Sequence, residues 1–438
     1  MEEKISTETV PGTGSVEAGA PVRKDNRNFL RGIICGMLIA MGIFAITFIG
    51  RILYGNYKLD KVLKAGTFAE DGKDYESKLV NETVAGKIGT LEYVIDKYYL
   101  NDYTTEDLET GIYRGMIDSL GDRYGVYYTE DEIRKAREDS TGMFGGIGAL
   151  ISYDETSNYC IIAGTTEGAP AEKAGVREGD YIIKVDDIEA QGMDSSELVT
   201  HVRGEVGTTV HLVLKRKGVP EPLQFDIVRD IIETTSVYSE MKEDNIGYIT
   251  VTEFDSVTSD QFVEALATLK GQGARGIILD LRSNLGGNLD TACEIARNIL
   301  PEGVIVYTID KYDNRKEYTC DGEHELDLPM VVLTNQYSAS ASEVLTGAIK
   351  DYGKGRIVGT TTYGKGIVQT VIPLSDGSAV KLTTSSYYTP NGVCIHGTGI
   401  DPDVEVELDT DAYYESGADN QLDEGIAEMH RIWESNGQ

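Results

Sequence analysis

The sequence lacks the marks of metal and redox chemistry. Its five cysteines, Cys35, Cys160, Cys293, Cys320 and Cys394, include no C-x-x-C pair. No H-E-x-x-H motif and no G-x-S-x-G elbow accompany the five histidines, His201, His211, His324, His396 and His430. Basic side chains are scarce: 40 Lys and Arg against 73 Asp and Glu leave a net charge of -33. Residues 1–31 carry five charges of each sign, so the deficit falls on the rest of the chain. An acidic body argues against nucleic acid as a partner and disfavours acidic substrates. No internal repeat is evident. At 438 residues, 40% of them apolar, the chain is expected to form two or three domains.

Charge is also missing from residues 32–50, a run of nineteen residues between Arg31 and Arg51 that is long enough to cross most of a bilayer as a helix. A buried core helix or a cleaved signal peptide would also be apolar. The run is long for a signal peptide, however, and no A-x-A site follows Ile49. A retained membrane anchor is the expectation. Local charge does not orient it, because Arg23, Lys24, Arg27 and Arg31 face Arg51, Lys58, Lys61 and Lys64. Cys160, Cys293, Cys320 and Cys394 read as isolated packing residues, with a disulfide between two of them left open.

Beyond the anchor the periodicity predicts a helical lead-in over 77–140. Val80, Val84, Ile88, Leu91, Ile95 and Tyr98 form one helical stripe, and a second helix follows a Thr104/Asp107 capping box. Residues 144–229 read as a β-rich module, with glycines between short apolar runs and Val210, Leu212 and Leu214 in alternation. Residues 230–409 alternate strand and helix, the pattern of an α/β domain, and 410–438 read as an acidic C-terminal tail.

Three segments of the α/β part carry possible chemistry. In the first, an apolar strand from Met330 turns through Ser338-Ala-Ser340 into an amphipathic helix, so Ser340 lies at a helix N-terminus where the Ala341 amide can face an oxyanion. Ser340 with Glu343 is equally a capping box. In the second, Lys365 stands between Gly364 and Gly366, with Gln369 on the same side of an extended chain. A lysine base near neutrality must fall from about 10.4 to about 7, which burial has to provide, and a surface lysine in a Gly-rich hairpin is the plainer alternative. The third, Leu281-Arg-Ser-Asn-Leu-Gly-Gly287, offers the Gly286 or Gly287 amide to a substrate carbonyl. In the β-rich module, Phe144-Gly145-Gly146-Ile147-Gly148 precedes an alternating strand, and such amides can nest a terminal carboxylate or simply form a turn.

Taken together, these segments resemble the carboxyl-terminal processing peptidases, or tail-specific proteases, from about Leu79 to Leu408. The motifs that carry the resemblance include Gly115-Met-Ile-Asp-Ser-Leu-Gly-Asp-Arg-Tyr124, the PDZ-like Gly168-Ala-Pro-Ala-Glu-Lys-Ala-Gly-Val-Arg-Glu-Gly-Asp180, Ser338-Ala-Ser-Ala-Ser-Glu343, Tyr363-Gly-Lys-Gly-Ile-Val-Gln369 and Thr389-Pro-Asn-Gly392 with its continuation to Asp403. The resemblance implies Ser340 as nucleophile, Lys365 as base, Gln369 as the group orienting it, and Gly286 with Ala341 as oxyanion hole. It also implies a PDZ domain reading substrate tails through Gly145, Gly146, Ile147 and Gly148, and no cofactor. Leu285 replaces the proline common in the family's Asn-Pro-Gly-Gly turn.

The expected architecture is thus α/β and multidomain: transmembrane helix, helical lead-in, β-rich PDZ domain, and an α/β Ser/Lys peptidase core facing away from the cytoplasm of a bacterial cell. Substrates are expected to be protein C-termini with apolar last residues. Arg203, at the end of a short helix through Val202 that Asp194 or Ser195 can cap, is a candidate for relaying tail binding to the site, a solvated arginine at a helix end being the plainer alternative. The lead-in stripe can dimerise, and an activating partner protein is conceivable. A silent PDZ scaffold and a crotonase-like acyl-CoA enzyme are the competing readings.

Overall fold

The structure, a computed structural model, describes residue 79 and residues 81–437. The expected anchor at residues 32–50 lies outside the described residues, and among the described residues no helix is long and apolar enough to cross a membrane. The chain divides into two units, Met1–Lys97 and Tyr98–Gln438. The described part of the first is nearly all of helix α1 (Glu82–Tyr98), which follows the predicted stripe and has no buried residue.

The second unit opens with α2 (Thr105–Asp118), started by the predicted Thr104/Asp107 capping box. A short strand, β1 (Val126–Tyr128), and helix α3 (Glu130–Thr141) follow. The β-rich module comprises β2 (Met143–Gly146), β3 (Ala149–Asp154), β4 (Tyr159–Thr165), α4 (Pro170–Ala174), β5 (Tyr181–Val185), β6 (Ile188–Glu189), α5 (Ser195–Val202), β7 (Thr209–Lys215), β8 (Leu223–Val228) and β9 (Asp230–Glu233). Its sheet runs β3-β4-β5-β7-β8, while β2 pairs only with β9. Val210, Leu212 and Leu214 point into its own core, as their alternation requires.

The α/β part follows: β10 (Val237–Lys242), β11 (Ile246–Val251), α6 (Thr258–Gly271), β12 (Gly276–Asp280), α7 (Leu289–Arg297), β13 (Gly303–Asp310), β14 (Arg315–Cys320), β15 (Met330–Thr334), α8 (Ala341–Asp351), β16 (Gly355–Gly359), β17 (Ile367–Pro373), β18 (Ala379–Tyr388), β19 (Val404–Glu405), α9 (Thr410–Ser416) and α10 (Asn420–Asn436). The central sheet runs β10-β11-β12-β15-β16-β19 and is parallel except for β10. Strands β12 and β15 are buried throughout, as parallel strands covered on both faces must be. Ile277, Leu279 and Val332 share a core with Phe262, Ile295 and Leu345 of α6, α7 and α8.

The opposite face corrects the reading of residues 410–438 as an acidic tail. Ile278, Val331 and Leu333 pack under Met429 and Trp433 of α10. Gln421, Gly425, Met429 and Trp433 recur every four residues and are buried, a stripe that the acidic composition had hidden. The helix is fastened at its start by Arg282, which bonds Asp280 of β12 at 2.6 Å and Asp419 at 2.7 Å.

A second sheet, β1-β18-β13-β14 with β17 on β18, was not read from the sequence beyond β17. Strand β1 of the lead-in belongs to it, pairing with β18. Cys160, Cys293 and Cys320 are buried, Cys394 is exposed, and all four are free thiols.

Candidate active site

The site forms beyond the carboxyl ends of β12 and β15, where open parallel sheets place their functional loops. After β15 the chain turns sharply. Ser338 Oγ donates to the Leu281 carbonyl at 2.8 Å and accepts the Asn335 N–H at 3.0 Å, while the Ala339 N–H and Ser342 Oγ both donate to the Asn284 carbonyl. So held, Ser340 takes φ 56° and ψ -113°, a conformation that costs a non-glycine residue about 1–3 kcal/mol. It is partly exposed at the start of α8, and the Ala341 N–H behind it makes no hydrogen bond within the protein.

Ser340 and Glu343 do face one another as capping partners. The bonds run from the Ser340 N–H to Glu343 Oε2 at 2.9 Å and from the Glu343 N–H to the Ser340 carbonyl at 2.9 Å. Glu343 also receives the Lys365 N–H on Oε2 at 2.8 Å, the Gly364 N–H on Oε1 at 2.7 Å and the Thr362 hydroxyl on Oε1 at 2.6 Å. Ser340 and Lys365, 25 residues apart, are thereby brought against one carboxylate oxygen. The Tyr387 hydroxyl braces the same pair, lying 3.0 Å from the Ser340 carbonyl and in contact with that of Lys365.

The glycines around Lys365 are required by close approach. A Cβ on Gly366 would lie 2.5 Å from the His396 nitrogen, and Gly364 has φ 87°. The Lys365 amine is half-buried, with Nζ 4.5 Å from the centre of the Tyr124 ring. Burial first, then the Lys381 charge, holds its pKa below the usual lysine value, while Glu343 acts in the opposite direction. Tyr124 belongs to a turn whose Asp122 carboxylate takes the Thr383 N–H at 2.9 Å and the Thr383 hydroxyl at 3.0 Å.

Gln369 is not placed on Lys365. Its Nε2 donates to Thr383 Oγ1 at 3.4 Å. The expectation that 365, 367 and 369 share a side assumed regular pairing, but Lys365 precedes β17 and the β17–β18 register shifts between Val368 and Gln369.

Gly286 does abut the Ser340 turn: a Cβ there would lie 2.6 Å from the Ala339 carbonyl and 3.0 Å from the Ala341 nitrogen. Its N–H, however, donates to Asn284 Oδ1 at 2.8 Å, so in this conformation the free amide at the turn is that of Ala341. Asn284 is buried and also donates Nδ2 to the Val251 carbonyl at 2.8 Å. Leu285, in place of a proline, points outward and is exposed.

No histidine is set up as a base. The side chains of His324 and His396 are exposed, and His396 approaches the lysine loop at Gly366 with its backbone and Cβ. His211 pairs with Asp226 in the β-rich module, His430 lies on α10, and His201 ends α5.

In the β-rich module Gly145 and Gly146 pair with β9. The Ile147 and Gly148 carbonyls accept the Ala171 and Thr166 N–H groups, while the N–H groups of Ile147 and Gly148 meet no protein acceptor. The following strand β3 is the sheet edge, with α5 packed beside it. Arg203, just after α5, stacks its guanidinium 3.7 Å from the centre of the Phe144 ring, in a cleft also lined by Glu138, Asp139, Glu253 and Asp255. Burial, with Glu253 and Asp139 nearby, pushes the Asp255 carboxyl up to about 6.

Comparison with known proteins agrees with this organisation. The Peptidase family S41 profile matches residues 245–406, and the PDZ domain profile matches 161–216. Carboxy-terminal processing protease CtpA of Bacillus subtilis (strain 168) is 37% identical over 337 residues, 74% of this chain and 71% of that protein. The carboxyl-terminal-processing protease of Synechocystis sp. is 33% identical, over 72% of this chain and 77% of its own. A solved photosystem II D1 C-terminal processing protease is 31% identical, covering 73% of this chain and 86% of that one, with a TM-score of 0.43. Fold and site define a serine-type peptidase core joined to a peptide-binding module. The chain belongs to the S41 peptidases, among the carboxy-terminal processing proteases that carry a PDZ domain.

Proposed function

We propose that the protein cleaves polypeptides near their C-termini with a Ser340/Lys365 dyad. What carries the reading is a strained, partly exposed serine and a lysine of lowered pKa held through their backbones to one carboxylate, with the Ala341 amide open beside them. Neutral Lys365 takes the proton from Ser340 as Oγ bonds to the peptide carbonyl carbon. The Ala341 amide, and Gly286 once its loop shifts off Asn284, hold the resulting oxyanion. The lysinium returns the proton to the leaving nitrogen as the C–N bond breaks; the same lysine then takes a proton from water as its oxygen bonds to the acyl carbon, and returns it to Ser340 Oγ as the ester bond breaks. Lys365 Nζ must first leave the Tyr124 ring for Ser340 Oγ, and Gln369 is the candidate to guide it there.

The free amides of Ile147 and Gly148, next to the open edge of β3, suit a terminal carboxylate with the tail added as a strand; Gly145 and Gly146 set the loop. Arg203 is proposed to relay tail binding through Phe144. Residues 32–50 are proposed to anchor the protein in a bacterial membrane with its catalytic part outside the cytoplasm. The exposed stripe of α1 is proposed as a homodimer contact, and an activating partner protein fits the resting position of Lys365.

The test is cleavage of a disordered peptide with apolar last residues by the full-length protein in detergent, with fragments identified by mass spectrometry. Ser340→Ala and Lys365→Ala should each lower kcat by roughly 10⁴-fold or more while leaving peptide binding intact. Cleavage at the parental rate by either variant would refute the dyad.

A further inference from the structure

We propose that Glu343 is the positioning residue of this site, its carboxylate setting the nucleophile and the base in register by taking the backbone N–H groups of both. The inference rests on the Ser340/Lys365 reading above.

A capping glutamate needs only its own helix start and usually stands in solvent. Glu343 is fully buried, and only one of its four donors comes from its own helix start. The other three come from Thr362, Gly364 and Lys365. A carboxylate is kept in such a place only when charge-assisted hydrogen bonds replace water, and four do so here. Because Oε2 takes the Ser340 and Lys365 amides together, the two residues cannot separate without breaking one of those bonds. The shell is itself held, since the Thr362 hydroxyl accepts the Ile400 N–H at 2.8 Å.

The carboxylate has a second effect, through its charge. The charged groups that act on the Lys365 amine are Glu343 on α8 and Lys381 on β18; the Tyr124 ring lies against the amine, the Tyr363 phenol bonds that of Tyr124, and the Tyr387 hydroxyl meets the Lys365 carbonyl rather than the amine. Burial and Lys381 favour the neutral amine, and Glu343 favours the ammonium. Glu343 therefore sets both where the base stands and the pH at which it becomes one.

The full-length protein and its Glu343→Gln and Glu343→Asp variants are compared for kcat, KM and the acid limb of kcat/KM on the apolar-ended peptide, with active sites titrated by a serine-reactive phosphonate. Glu343→Gln, which offers an amide to donors that need an acceptor, should lose roughly 100-fold in kcat with KM nearly unchanged. Its acid limb should also move to lower pH, because the charge that favoured the ammonium is gone. Glu343→Asp should recover part of kcat and keep the parental limb. Parental kcat in Glu343→Gln, or a lowered kcat with an unmoved limb, overturns the proposal. If Glu343→Gln does not fold, Thr362→Val decides: a several-fold loss in kcat at constant KM supports the positioning role, and the parental kcat overturns it. Ser340→Ala and Lys365→Ala in the same assay separate the two claims. Should they cleave normally, the dyad itself fails; should they be inactive while Glu343→Gln behaves as the parent, only the role of Glu343 fails.

Discussion

Ser340 and Lys365 arrive from different sheets and are held differently. Ser340 stands at the end of a fully buried parallel strand, and the hydrogen bonds of Asn284, Ser338 and Glu343 fix its backbone in a strained turn. Lys365 precedes a partly exposed hairpin strand; its amide is fixed by Glu343, but its amine rests on Tyr124 without a hydrogen bond to the serine. The contrast separates two tasks. On the proposed dyad, the scaffold stores the geometry of Ser340, whereas the base would be completed by a movement of the Lys365 side chain that a bound substrate tail can bias.

The largest way to break this contrast is on the fixed side. Asn284→Ala removes the acceptor of the Gly286 N–H and the donor to the Val251 carbonyl, two buried groups. Although it frees the Gly286 N–H, it loosens the loop whose Asn284 carbonyl holds the Ala339 N–H and Ser342 Oγ, so it should lower kcat roughly 100-fold and also lower the melting temperature, measured by steady-state cleavage and thermal unfolding.

The acid limb of the activity profile sharpens the comparison, because Asp255 is a second group that burial shifts. Its folded pKa of about 6 lies above the ordinary carboxyl value. The folded protein therefore holds the proton more tightly than the unfolded chain, and stability falls as pH rises through the window from about 4 to 6. Asp255→Asn should stabilise the protein by up to about 2–3 kcal/mol above that window and hardly at all near pH 4, as read by unfolding at the two pH values. The acid limb of kcat/KM should stay in place, since on the proposed dyad it reports Lys365.

The smallest effect is expected on the loose side. The Tyr124 ring favours the ammonium of Lys365, so Tyr124→Leu should raise kcat/KM at neutral pH by roughly two- to fivefold and move the acid limb slightly downward. A fall instead would make Tyr124 part of the working arrangement.

Much of this was legible in the sequence. The strand-turn-helix at Ser340, the glycine bracket of Lys365 and the small β-rich module follow from apolar periodicity and glycine placement. What was missed has physical reasons. Strand β18 reads Ala-Val-Lys-Leu-Thr-Thr-Ser-Ser-Tyr-Tyr, half-buried on most positions and without clear alternation, so no period reveals it. Helix α10 hides a four-residue stripe beneath acidic composition. Gln369 was assigned by a regular two-residue period that the register shift after Val368 breaks. Glu343 was visible only as a helix cap, because three of its four partners lie about twenty residues away and only the fold brings them in. Tyr124 and Asp122 depend in the same way on long-range contacts with β18 and the lysine loop.

The dyad is tested most directly by the rate at which a serine-reactive phosphonate labels Ser340 as a function of pH, in the parent and in Lys365→Ala. The account predicts labelling at Ser340 that rises through a pKa below that of an ordinary lysine and is nearly abolished in the variant. Labelling of Lys365→Ala at the parental rate and pH dependence would contradict it.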